Sequence, residues 1–106
     1  MLSLPASVRI FVCLAPADMR RSFDGLAAMA EQVVAQDPLS GHLFVFRNRR
    51  GDRVKILWWD TDGYALFYKR LEAGVFRFPQ RPGAAAELTR ADLALALEGI
   101  DVEVID

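Results

Sequence analysis

The segment Gly41–Arg81, GHLFVFRNRRGDRVKILWWDTDGYALFYKRLEAGVFRFPQR, decides how this chain folds. Its apolar residues alternate with period two, the spacing of half-buried strands, and the alternation is broken by short turn-forming clusters. Leu43 to Asn48, Arg53 to Asp60, Gly63 to Leu71 and Val75 to Phe78 read as four successive strands. The first turn lies within Asn48 to Asp52, where Gly51-Asp52 supplies the turn chemistry. The second is Asp60-Thr61-Asp62-Gly63, and the third centres on Ala73-Gly74. Connections this short imply an antiparallel meander.

Outward from this block the period changes. Val8 to Leu14 is a short apolar, β-branched run interrupted by Arg9 and reads as a strand. Ala15-Pro16-Ala17 breaks it, and Asp18 is a candidate helix cap. Phe23, Leu26, Ala27, Ala30, Val33 and Val34 then recur at helical spacing, until Asp37-Pro38 ends the helix. On the other side, Pro79 to Ala86 reads as a loop. A second helix starts at Leu88-Thr89-Arg90-Ala91-Asp92-Leu93, with Thr89 as cap, Asp92 at the third helical position, and Leu88 stapled to Leu93. Gly99 is its natural stop. Ile100 to Asp106 alternates apolar and acidic residues, compatible with a short edge strand or an acidic tail. The expectation is one α+β domain over residues 1–106: strand, helix, four-stranded antiparallel meander, helix, with an optional C-terminal strand.

Bulk properties narrow the function. With 106 residues, 53% apolar and 25% charged, the chain has the balance of a globular protein with a genuine core. No apolar run approaches the ~20 residues of a membrane span. The first residues lack a basic region, and Pro5 and Arg9 interrupt the apolar stretch, so they do not read as a signal peptide. One cysteine, Cys13, cannot pair within the chain, and with one histidine, His42, no zinc set can be assembled. A reducing cytoplasm is the expected compartment, and no metal or cofactor is expected.

Charge is sorted along the chain. Gly41–Arg81 holds nine of the thirteen basic residues, against the four acids Asp52, Asp60, Asp62 and Glu72, a local charge of +5. The remainder has Arg9, Arg20, Arg21 and Arg90 against ten acids, giving −6 and a total of −1. A pI of about 5.8 argues against a generally basic nucleic-acid binder, so any such contact must come from the local patch. The same block carries nine of the eleven aromatic residues. Cations beside flat rings suit a phosphate backbone with exposed bases.

The candidate contact residues are Arg47, Arg49, Arg50, Arg53, Lys55, Trp59, Lys69, Arg70 and Arg77. Alternation places Arg53, Lys55, Leu57 and Trp59 on one face of their strand and Val54, Ile56, Trp58 and Asp60 on the other. The Val54/Ile56/Trp58 face is the one expected to pack on a helix, which leaves Arg53, Lys55 and Trp59 as an outward platform. An ordinary solvated sheet face uses the same residue types, so both readings stand at this point. Arg47-Asn48-Arg49-Arg50 leads into a turn, where guanidinium groups can reach a partner. The four acids of the block invite a metal-dependent nuclease reading. Asp60 and Asp62 flank one turn, however, while Asp52 and Glu72 sit roughly 25 Å away at the other end of the strands. Catalysis is therefore not expected. Cys13 and His42 read as structural.

The run LFVFRNRRGDRVKILWWDTDGYALFYKRLEAGVFRFP resembles the signature of the small TnpB-type accessory proteins, the second open reading frame of bacterial insertion sequence 66 elements. Ala17-Asp18-Met19-Arg20 with Phe23-Asp24-Gly25-Leu26 is similar to the family's opening, and Leu88-Thr89, Leu97 and Glu98-Gly99-Ile100-Asp101 to its close. The chain departs at Val102, where relatives tend to carry an aromatic. The resemblance implies a transposition accessory protein that works beside the transposase of the same element. It supplies no catalytic residue, and its basic, aromatic signature fits either DNA contact or docking onto the transposase.

Overall fold

The structure, a computed structural model, describes residues 4–99. Five strands form one open sheet in the order β4-β3-β2-β1-β5. They are β1 (Ile10–Cys13), β2 (Leu43–Arg47), β3 (Arg53–Asp60), β4 (Gly63–Arg70) and β5 (Ala85–Leu88). Helix α1 (Phe23–Met29) joins β1 to β2, and α2 (Arg90–Glu98) follows β5. The α+β class expected from the sequence is the one observed.

The β2-β3-β4 meander follows the expected turns. Its central hairpin pairs Asp60 with Gly63 at the turn and Arg53 with Arg70 at the far end. Thr61 takes a left-handed conformation, with φ of 56°, to close the two-residue connection. β1 lies parallel to β2, Ile10 opposite Leu43, which requires the crossover that α1 provides.

The fourth meander strand, Val75 to Phe78, does not form. Phe76 is buried in the core on the α2 side of the sheet, and its N–H donates to Gly51 O at 2.8 Å. The segment therefore crosses under the β2–β3 loop instead of extending the edge at β4. The fifth strand takes the last two residues of the expected loop, Ala85 and Ala86, together with Glu87 and Leu88. Residues 85–88 pair antiparallel with β1, Cys13 opposite Ala85 and Ile10 opposite Leu88, and so satisfy buried main-chain groups of β1.

Both faces of the sheet are covered, which corrects the expectation of an open platform. Phe11, Cys13, Phe44, Phe46 and Leu57 pack with Leu26, Ala27 and Ala30 of the α1 segment. Ile10, Val12, Val45, Val54 and Ile56 pack with Phe76, Leu88 and Leu93 on the α2 side. The Val54/Ile56 face does meet a helix as expected, but the face of Lys55 meets the other one.

Helix boundaries differ at one end. Asp18 does not cap α1; its carboxylate accepts from Arg20 N and from the Arg20 guanidinium, shaping a turn just before the helix. Ser22 is the cap residue. The helical path continues as a wider π-turn over Ala30–Val34 and stops at Ala35, whose φ of 61° breaks it ahead of Pro38. Helix α2 begins as expected. Thr89 Oγ1 accepts from Asp92 N at 3.0 Å, and Asp92 Oδ2 accepts from Thr89 N at 3.1 Å, while Leu88 and Leu93 share one core cluster. Gly99 ends the helix with φ of 76°. The expected C-terminal strand lies outside the described residues.

Candidate nucleic-acid interface

The turn between β2 and β3 is built by one asparagine. Asn48 Oδ1 accepts from Arg53 N at 3.0 Å, and its Nδ2 donates to Asp52 Oδ1 at 2.7 Å. That hydrogen bond from Asn48, helped by the nearby charges of Arg50 and Arg53, holds the Asp52 carboxyl below its ordinary range. Gly51 N donates back to Asn48 O. Gly51 has φ of 80°, a conformation that glycine adopts without strain. The loop is also sewn to distant chain: Phe76 N donates to Gly51 O and Leu71 N to Asp52 O, both at 2.8 Å. Arg49 and Arg50 thus project from a fixed frame.

Beside this loop lies a groove of about 480 Å³. Arg47, Arg49, Arg50, Arg77 and Arg81 line it together with Phe78 and Pro79, and no aspartate or glutamate does. Arg47 is anchored by a 2.8 Å hydrogen bond from its guanidinium to Leu14 O, and Arg81 by one of 2.9 Å to Glu87 O. Among the described residues, Arg49, Arg50 and Arg77 have no hydrogen-bonding side-chain partner and no ion pair, and all three are exposed. Five guanidinium groups around one concavity supply the planar, paired donors that an anion site requires.

Four of the nine sequence candidates, Arg47, Arg49, Arg50 and Arg77, converge on this groove. Arg53 lies on the other side of the loop, its Nη1 donating to Tyr68 Oη at 3.1 Å. Arg70 sits opposite Arg53 on β4 and pairs with Glu72 at 3.2 Å. The other three are placed elsewhere. Lys55 is only 6% exposed, and its ammonium donates to Met19 O at 2.8 Å and Arg21 O at 2.7 Å, tying the segment before α1 to the sheet. Its long apolar stem crosses the core face while the charged head finds carbonyls at the rim. Lys69 Nζ donates to Leu97 O at 3.0 Å, where a cation complements the end of α2. Trp59 packs edge-on against Tyr64, ring centres 5.2 Å apart, at the opposite end of β3 from the loop. Six residues of strand separate Trp59 from Arg53, roughly 20 Å.

Arg81 belongs to the basic block but is not among the nine contact candidates legible in the sequence. Only the pairing of β5 with β1 brings its loop to the groove, and charge is its sole local signal. The acids fall as expected, Asp60 and Asp62 at the β3–β4 turn, Asp52 and Glu72 near the opposite strand ends. Cys13 is buried, its Sγ donating to Ala15 O, and burial pushes its thiol pKa up. His42 Nδ1 accepts from Arg9 N at 2.9 Å, a structural role.

The description "IS66 Orf2 like protein" fits the chain over residues 8–106. The chain belongs to the IS66 Orf2-like family. It is 41% identical over 101 residues to the uncharacterized protein y4hO of Sinorhizobium fredii (strain NBRC 101917 / NGR234), covering 95% of this chain and 88% of that protein. It is 36% identical to the uncharacterized protein y4jC of the same organism, covering 95% of this chain and 86% of that one. No solved structure matches. Membership makes the chain an accessory protein of an insertion sequence, a member of a transposition system. Among the described residues, no helix of this IS66 Orf2-like protein is long and apolar enough to cross a membrane.

Proposed function

We propose that this single-domain protein is a non-catalytic transposition accessory factor that acts in the cytoplasm and contacts DNA without sequence preference, through the arginine groove. The observation that carries the reading is the groove itself: five arginines and no carboxylate on one fixed concavity. Phosphate neutralisation by guanidinium is sequence-independent and releases counterions, so affinity falls with salt. With three to five phosphates contacted, the logarithmic salt slope is about −3 to −5 on duplex DNA. A fluorescence anisotropy titration that finds no binding at ~50 mM salt removes the proposal. A magnesium- or manganese-dependent nicking activity, lost in Asp60→Ala with the fold intact, overturns the non-catalytic part.

The second reading is docking onto the element's transposase without direct DNA contact. It is favoured by the α1 side of the molecule, where burial and then the carboxylates Asp37, Asp24 and Glu31 raise the pKa of Tyr64. An acidic surface of this kind repels DNA and suits a basic protein partner. Co-purification of the two proteins that survives nuclease treatment supports this reading over the first.

A further inference from the structure

The groove does not end at the loop. A second cleft, between the loop and Asp18–Arg20, is lined by Arg20, Arg49, Arg50 and Arg53 against Asp18 and Asp52, so it is cationic on balance and shares two arginines with the groove. A third is lined by Arg53, Tyr68, Arg70 and Glu72 and shares Arg53 with the second. The three form one cationic track around the loop tip, from Arg81 and Arg77 to Arg70.

Tyr68 stands at the far end of this track, beside Arg53 and Arg70. It is 48% exposed on the edge strand β4, yet its position is held from two directions. Arg53 bonds its hydroxyl at 3.1 Å, and the ammonium of Lys55 lies 4.7 Å from its ring centre. Lys55 is itself pinned by two main-chain carbonyls. One ring face rests on a fixed cation, and about half of the residue is open to solvent. An aromatic surface held flat beside phosphate-binding arginines is the arrangement on which an unpaired base stacks. In a duplex the base faces are already stacked on one another and cannot cover the ring.

We infer that Tyr68 is a base-stacking platform that gives the arginine track a preference for single-stranded over duplex DNA. The inference rests on the DNA-binding reading and adds to it the form of DNA taken. The test uses the full chain with a labelled oligothymidine and a duplex of equal length. Tyr68→Ala weakens oligothymidine binding about fivefold to a hundredfold, the range for loss of one stacked base, and leaves duplex binding within about twofold. Tyr68→Leu, which keeps apolar bulk on the edge strand but not the flat ring, behaves like Tyr68→Ala, whereas Tyr68→Phe retains oligothymidine binding. Tyr68→Ala leaves the salt slope unchanged; Arg49→Ala/Arg50→Ala flattens it on both ligands. Equal affinity of the wild type for the two DNA forms, or an unchanged oligothymidine affinity in Tyr68→Ala, overturns the inference while the DNA-binding reading stands. Absence of binding to either form removes both.

Discussion

Lys55→Met separates a structural lysine from a ligand-contacting one. Methionine keeps most of the apolar stem, so packing on the core face changes little. What is lost is the pair of hydrogen bonds at 2.8 and 2.7 Å to Met19 O and Arg21 O, together with the cation beneath the Tyr68 ring, a smaller contribution left out of the sum. Charge-assisted bonds contribute roughly 1.5 kcal/mol each, about 3 kcal/mol for the two. These contributions are already net of desolvation, so the expected destabilisation is about 3 kcal/mol. For a domain of this size that lowers the melting temperature by about 12–24 °C. Urea unfolding followed by tryptophan fluorescence reads it directly, since Trp58 and Trp59 lie on the same strand. An unchanged unfolding midpoint, together with loss of DNA binding, would refute the reasoning, because the ammonium would then face a ligand and not the carbonyls.

Three further outcomes are expected. Leu26→Ala removes a fully buried side chain at the α1–sheet contact and should cost about 2–5 kcal/mol in chemical denaturation. Thr89→Ala breaks the reciprocal cap of α2 and should cost about 1 kcal/mol, measured in the same way. The third concerns pH. Hydrogen bonds from Arg20 lower the Asp18 carboxyl from 3.8 to about 2, and Arg9 lowers that of Glu87. Carboxylates lowered in the folded state contribute stability that is complete above their unfolded pKa and is lost as pH falls through the folded one. For Asp18 the loss runs from about pH 4 down to about 2, and Asp18→Asn should flatten that part of an acid-unfolding profile, with an NMR titration locating the midpoint.

Much of this architecture is legible in the chain because local signals agree. The β3–β4 hairpin announces itself through alternation on both sides of Asp60-Thr61-Asp62-Gly63, and α2 through the reciprocal chemistry of Thr89 and Asp92. Other parts depend on distant partners. Ala85-Ala86-Glu87-Leu88 has no strand propensity to speak of, and extends only because β1 offers it an unpaired edge. Lys55 follows the strand alternation faithfully, but alternation reports a face and not what covers it. A lysine over a helix-approach loop and a lysine in water look alike until the loop is placed. The arginine groove is half legible. Arg49 and Arg50 stand out as turn residues, whereas Arg77 and Arg81 reach the same concavity through a chain crossing that no local pattern encodes.

The two main-chain bonds that join the Asn48–Asp52 turn to Leu71 and Phe76 make the arginine groove a non-portable feature. A peptide copied from residues 47–53 would carry its charges but not the wall supplied by residues 75–81. Under the proposed DNA contact, the assembled groove belongs to the native state, so occupancy and folding are thermodynamically linked. An anion that fills the groove and does not bind the unfolded chain raises the stability of the entire fold, by about 2.7 kcal/mol at a hundredfold excess over its dissociation constant. Ligand discovery for this protein thus reduces to a melting experiment, in which each strand, duplex or polyphosphate reports its affinity as a temperature.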